Sequence, residues 1–163
     1  MRRKDREITD MREIYEIIKK CDVCHVAFYN EEYPYVIPLN FGVTFNDGRF
    51  KLYFHCAKEG TKLELMKKNP HVAFAMDCSH NLVFRDDSSC TMEYESVCGN
   101  GVLHALPEQE KVGALSVLMQ QYHGGEEYTF PEQVVKMVEV LELTIDNISG
   151  KRLKKNWENK ENK

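Results

Sequence analysis

The chain has 163 residues, 42% hydrophobic and 29% charged, the balance of a globular protein with enough interior for a core. A formal net charge of −4 argues against a general nucleic-acid binder, which needs a basic surface to neutralise phosphate. No apolar run approaches the ~20 residues that cross a bilayer, and Met1-Arg2-Arg3-Lys4-Asp5 leads into no apolar stretch of a secretory signal, so a cytoplasmic chain with reduced cysteines and no membrane partner is expected.

The first element is a helix over Thr9–Cys21, with Met11, Ile14, Ile17, Ile18 and Cys21 at helical spacing and Asp10 with Glu13 as a capping box. Cys21-Asp22-Val23-Cys24-His25 has the C-x-x-C-H spacing of covalent haem attachment. The same residues also read as buried thiols, with Cys21 closing the helix and Cys24–Tyr29 forming a strand. The missing export signal favours that second reading. Pro34–Val43 reads as the next strand, and Asp47-Gly48 as a hairpin turn into a strand over Arg49–His55, three strands in a meander.

A short helix is expected over Thr61–Asn69, stopped by Asn69-Pro70, with Thr61 as N-cap and Glu64 completing a capping box. Lys58 and Lys62 are then oddly placed, because the start of a helix carries partial positive charge. Either they are solvated or an anion sits there. His71–Asp77 returns to strand, with Val72, Phe74 and Met76 on one side. Cys78–Cys90 is a polar excursion in which Cys78, His80 and Cys90 lack the paired spacing of a zinc site. Thr91–Leu106 is strand broken by Gly99-Asn100-Gly101, which marks a bulge; no helix follows to make it a dinucleotide fingerprint.

Pro107 opens a helix over Glu108–Tyr122 with Val112, Leu115, Leu118, Met119 and Tyr122 as its buried stripe, ended by His123-Gly124-Gly125. Pro131–Val138 is a further short helix. In the last strand Leu141, Leu143 and Ile145 alternate with polar residues. Residues 1–153 read as one domain, mainly β with peripheral helices in a small barrel; 154–163 read as a polar tail carrying Trp157.

"PYVIPLNF" (Pro34–Phe41), "LYFHCAKEGTKLELMKKNP" (Leu52–Pro70) and "YESVCGNG" (Tyr94–Gly101), at these separations, resemble the pyridoxamine 5′-phosphate oxidase-like flavin-binding split barrels, in the branch of nitroimidazole-resistance proteins. The resemblance covers Asp10 to about Lys151. Glu95 departs from the arginine that members often carry before Ser96, and Asn100 from a common aromatic. The resemblance implies a split β-barrel homodimer with FMN (FAD the alternative) near the interface. Its phosphate would lie at the loop and helix from His55 through Gly60 to Lys62, which answers the puzzle of the lysine. Ile37, Pro38, Leu39 and Asn40 would meet the polar edge of the isoalloxazine, Cys56 would pack beside the cofactor, and Ser96 would reach the phosphate or ribityl chain. His55 would be the catalytic residue, and no metal is implied. The expected function is reduction of a small, nitroaromatic-type substrate by a flavin-dependent oxidoreductase; the alternative is a non-catalytic flavin- or haem-binding module.

Overall fold

The computed structural model describes residues 2–84, 87–123 and 128–153. Strands β1 (Glu7–Ile8), β2 (Cys24–Phe28), β3 (Tyr35–Leu39), β4 (Gly42–Asn46), β5 (Arg49–Ala57), β6 (His71–Phe84), β7 (Cys90–Ala105) and β8 (Val138–Leu153) are interleaved with helices α1 (Met11–Lys20), α2 (Thr61–Lys68), α3 (Glu108–Tyr122) and α4 (Glu132–Met137). The expectations for Gly124, Gly125 and the tail with Trp157 lie outside the described residues.

The strands form one sheet in the order β3-β2-β6-β7-β8-β5-β4, with β1 added on β8. That order forces a barrel. β3 and β4 are at opposite ends of the sheet, yet only Asn40 and Phe41 join them. A flat sheet would hold its end strands about 29 Å apart at ~4.8 Å per strand. The three Cα–Cα steps from Leu39 to Gly42 reach about 11 Å at most. The sheet must therefore curl until its edges meet. Those edges do not pair with each other, so the barrel is split along the β3–β4 seam.

The expected single strand over Pro34–Val43 is thus two strands, and the expected meander is two separate hairpins. The break at Asn40–Phe41 has a clear cause, for both residues bond outside the sheet. Phe41 N–H donates to the Tyr122 hydroxyl at 3.0 Å, and Asn40 Nδ2 donates to the Asp22 carbonyl at 3.2 Å. Gly42 then lets α3 approach, since a Cβ there would lie 2.5 Å from Leu118 N.

The core follows the strand alternation. Val26, Phe28, Phe50, Leu52, Phe54, Phe74, Met76, Val97, Leu141 and Leu143 point inward, and Ile14, Ile17 and Ile18 of α1 pack against them. Asp10 caps α1 by accepting from Arg12 N–H, as expected, but the other half of the capping box is absent because Glu13 pairs with Arg152. Asp47 and Gly48 both have positive φ, the conformation of the expected hairpin turn. β7 shifts register against β8 between Asn100 and Gly101, the expected bulge.

Two expectations about the far side of the sheet need correction. β8 does not alternate simply, because Val140, Leu141, Glu142 and Leu143 are all buried. Leu141 and Leu143 face the barrel core, whereas Val140 joins Leu106, Ala114, Leu115 and Val135 in a second cluster that includes residues of α3 and α4. The buried stripe of α3 is Lys111, Ala114, Leu115 and Leu118; Val112 and Tyr122 are 48% and 43% exposed, and Met119 is half-buried. A charged residue can occupy that stripe because Lys111 Nζ donates to the Val138 carbonyl at 3.1 Å and pairs with Glu108 and Glu139.

Candidate functional site

Alternation along β5 buries Phe50, Leu52 and Phe54 and turns Lys51, Tyr53 and His55 to the opposite face. β4 pairs with β5 only from Arg49 to Tyr53. Phe54–Ala57 therefore run past the start of β4, held by β8 on one flank and open to the seam on the other. Edge strand β3 likewise has no strand partner on its seam side. Two stretches of backbone with unpaired hydrogen-bonding groups thus border the split, and His55 and Cys56 stand on one of them.

The chain then turns directly into α2. Thr61 is the first helical residue rather than the N-cap, and no side chain caps this helix, so the expected capping box with Glu64 does not form. Gly60 takes the N-cap position with φ 130°, a conformation that a side chain would strain. Its carbonyl accepts from the Leu63 and Glu64 N–H groups. The first-turn N–H groups of Thr61 and Lys62 have no intrahelical acceptor. They end a helix whose dipole favours an anion at this point. Lys62 sits in that first turn, half-buried and with no carboxylate partner among the described residues. Burial pushes the Cys56 thiol up; the Lys62 ammonium opposes that shift, which places the two groups within electrostatic reach. His55, Cys56, Gly60 and Lys62 thus form one continuous corner.

The other expected residues are distributed around it. Ile37 and Leu39 are half-buried and pack on the core, while Pro38 is exposed on edge strand β3, where its missing N–H breaks no interior ladder. The Asn40 amide nitrogen is already engaged with Asp22 and with the Tyr122 hydroxyl at 3.3 Å, leaving its Oδ1 to accept. Ser96 is not brought to the corner within one chain. It pairs with Lys151 of β8, whereas His55 pairs with Val140, near the other end of that strand.

Sequence reasoning missed two positioning residues. The Tyr122 hydroxyl donates to the Asp22 carbonyl at 2.7 Å while accepting from Phe41 N–H, which fixes the end of α3 to the β3–β4 link. Gln121 Nε2 donates to the Cys21 carbonyl at 2.9 Å, and to those of Ile18 and Lys19, so it caps the end of α1. No local signal marks either one.

The departures at Glu95 and Asn100 also find their places. Glu95 faces the barrel interior rather than the face of Ser96 and is only 6% exposed. Lys20 Nζ and Ser79 Oγ each lie 2.8 Å from Oε2, and Arg152 bonds Oε1 while also pairing with Glu13. Burial alone would raise this carboxyl, but bonds from Lys20, Ser79 and Arg152 outweigh it and hold it at about 2. Asn100 points outward and accepts from Asn147 Nδ2 at 3.0 Å.

The two cysteines of the C-x-x-C-H stretch are quiet thiols. Cys21 and Cys24 are buried, and burial pushes both thiols well above the usual range, as inert core cysteines require. Cys78 lies beside Glu95, whereas Cys90 pairs with Phe84 farther along the β6–β7 hairpin, so the two do not meet His80 as a ligand set.

Beside His55, on the outer face of the barrel, lies a cleft of about 320 Å³ between the sheet and helices α3 and α4. Its walls include Leu115, Leu118 and Met119 of α3, Val134 of α4, and the aromatic pair Tyr128–Phe130, whose ring centroids are 5.0 Å apart.

Residues 10–152 match the family model described as pyridoxamine 5′-phosphate oxidase. The chain belongs to the pyridoxamine 5′-phosphate oxidase family. A crystal structure of a candidate 5-nitroimidazole antibiotic resistance protein from Bacteroides thetaiotaomicron superposes with a TM-score of 0.78 at 32% identity, over 90% of this chain and 86% of that one. The FAD and heme binding protein from Mycobacterium smegmatis shares the fold at TM-score 0.78 and 19% identity, covering 92% of this chain and 74% of that one. The flavocytochrome Anf3 from Azotobacter vinelandii does so at 0.75 and 17%, covering 96% and 75%. No curated protein matches. The split-barrel fold and the resemblance to nitroimidazole-resistance proteins stand as expected from the sequence. Among the described residues no helix is long and apolar enough to cross a membrane.

Proposed function

We propose that the seam beside His55 holds a flavin and that the protein is a flavin-dependent oxidoreductase acting on a small substrate. The carrying observation is the corner itself: helix N–H groups with no intrahelical acceptor and a Lys62 with no carboxylate partner among the described residues at one end, two strand flanks with no strand partner among the described residues beside it, and His55 on the same turn of chain. This donor set fits FMN. Lys62 and the Thr61–Lys62 N–H groups would hold the phosphate, and the Pro38 carbonyl on the seam side of β3 and the Asn40 carboxamide oxygen would meet the polar rim of the ring, with Ile37 and Leu39 packing beside it. FAD shares the same phosphate chemistry and is the alternative. Ser96 lies away from the corner on its own chain, so it would reach a flavin only in a homodimer, from the partner's side.

A bound flavin supplies electrons to an acceptor. Reduction of a nitro group to nitroso consumes two electrons and two protons and releases water, and a nicotinamide donor would supply the electrons. His55 is the nearby group whose ring nitrogen could pass a proton to the substrate or hold its oxygen by a hydrogen bond. The 5-nitroimidazole resistance name of the Bacteroides relative supports a nitroaromatic substrate.

The experiment is the visible spectrum of the purified protein, chromatography of the released cofactor, and sedimentation with and without it. A flavin spectrum, released FMN, a dimer strengthened by the cofactor and nitro reduction with NADH or NADPH are expected. A second reading rests on the Mycobacterium and Azotobacter names, a flavin- or haem-binding module without turnover. Stoichiometric cofactor, or a haem Soret band, with no reduction of any acceptor would favour it.

A further inference from the structure

A single hydroxyl at the end of α3 decides which way the Asn40 carboxamide faces. The Tyr122 O–H has one proton, and at 2.7 Å that proton goes to the Asp22 carbonyl. Its oxygen is left to accept, and Phe41 N–H does donate to it at 3.0 Å. One terminal atom of Asn40 lies 3.3 Å from the same oxygen and 3.2 Å from the Asp22 carbonyl. Both neighbours of that atom are acceptors. It is therefore the NH2, because a carbonyl oxygen there would set lone pairs against lone pairs. Each of its two N–H groups has a partner, and Oδ1 is turned to the opposite side. A carboxamide that could flip would offer a ligand either donors or an acceptor; this one offers only an acceptor.

We propose that Tyr122 is a positioning residue for the cofactor: by locking the Asn40 carboxamide, it makes the β3–β4 link select a ring N–H donor. On a flavin that donor is the imide N–H at N3, and the carbonyls on either side of it are not what Asn40 recognises. The identity of the ligand rests on the proposed function; the direction of the carboxamide rests on the hydrogen bonds alone. Tyr122 acts through Asn40, so its removal should change which ring is preferred and not only how tightly a ring is held.

The test is equilibrium dialysis of FMN, and separately of FMN methylated at N3, against the full-length protein freed of cofactor, alongside Tyr122→Phe and Asn40→Ala. Wild type should prefer FMN by at least about tenfold, because the methyl group leaves Oδ1 without its donor. In both variants that ratio should fall to about threefold or less. A purely structural Tyr122 would weaken both flavins alike and leave the ratio where it was. A ratio near one in wild type, or an undiminished ratio in either folded variant, would overturn the proposal. Should Tyr122→Phe not fold, melting of Asn40→Asp against Asn40→Ala without flavin decides. Aspartate sets an oxygen against the Asp22 carbonyl and should melt at least about 2 °C below alanine. Equal melting would mean that the carboxamide is not locked. A protein that binds neither flavin sinks the flavin reading and this proposal with it; FMN bound without discrimination sinks this proposal alone.

Discussion

The Glu95 end of the barrel and the His55–Lys62 corner treat charge in opposite ways. At the first, a buried carboxylate is matched by Lys20, Ser79 and Arg152, and Arg152 in turn by Glu13, so that α1, β6, β7 and β8 are tied in one network. At the second, a lysine sits on the wrong end of a helix dipole with no carboxylate partner among the described residues, next to strand flanks with no strand partner among them. A satisfied network explains itself by the architecture it holds. An arrangement that places a cation against the dipole with no partner among the described residues is what the flavin proposed for the corner would account for. The difference distinguishes a structural ion cluster from the site proposed for flavin.

The largest expected effect comes from breaking the satisfied end. Glu95→Ala leaves Lys20 and Arg152 without their shared acceptor and should cost about 3 kcal/mol in urea unfolding, the low end for a buried pair because both cations keep access to water. The carboxyl is held at about 2 against an ordinary 4.5. A folded-state value below the unfolded one means stability is fully present above about 4.5 and is lost as pH falls toward about 2. Unfolding midpoints measured from pH 6 down to pH 3 should therefore drop in wild type and flatten in Glu95→Gln. Flavin affinity at neutral pH should change little in Glu95→Gln provided the fold holds; a loss as large as that in Lys62→Ala would erase the distinction between the two regions.

The corner should respond in the reverse sense. Lys62→Ala removes a charge-assisted contact worth roughly 1.5–3 kcal/mol, so flavin binding should weaken about ten- to a hundredfold. The unliganded fold should be unharmed or slightly more stable, because a cation leaves the positive end of a dipole. Equilibrium dialysis with FMN and a thermal melt of the flavin-free protein give both numbers, and a destabilised apoprotein with unchanged affinity would make Lys62 an ordinary structural residue.

His55 sharpens the comparison at the level of chemistry. His55→Ala should keep its fold and most of its flavin but lose nitro reduction by at least about tenfold, below the 10²–10⁴ typical of proton-transfer assistance. Turnover must be expressed per bound flavin. A loss that merely follows lost flavin makes His55 a cofactor ligand, and unchanged turnover per flavin removes its catalytic role.

Which parts were legible in sequence follows from where their causes lie along the chain. The Asp47-Gly48 turn, the Asp10 cap and the inward triplet Val72, Phe74 and Met76 depend on neighbours a few residues away, and they formed as the local pattern predicts. The break at Asn40–Phe41 depends on Tyr122, far along the chain, and nothing in "PYVIPLNF" announces it. The double burial of β8 depends on α3 covering its second face, so its alternation was hidden by a helix that itself carries a buried lysine. The corner was legible only through its motif. "FHCAKEGTK" shows the residues, but the open flank beyond β4 appears only once β4 is seen to stop at Tyr53. The cleft beside His55 joins segments from β5, α3 and α4 that no single stretch of sequence relates.

The smallest expected effect compares the starts of two helices. α1 begins with a true side-chain cap, since Asp10 Oδ1 accepts from Arg12 N–H at 2.8 Å. Replacing such a cap with alanine typically costs about 1 kcal/mol, and Asp10→Ala should do so. α2 begins on Gly60, and the Thr61 hydroxyl caps nothing. Thr61→Ala should therefore change stability by less than about 0.5 kcal/mol, although its sequence reads as the better capping box. Chemical denaturation of both variants without flavin decides the point. The consequence reaches the site, because a capping box would satisfy the helix's first donors from within. A cost near 1 kcal/mol at Thr61 would mean that those donors are already occupied, and the anion assigned to the corner would lose half of what holds it. A negligible cost leaves the N–H groups of Thr61 and Lys62 as the part of α2 that the chain itself does not complete.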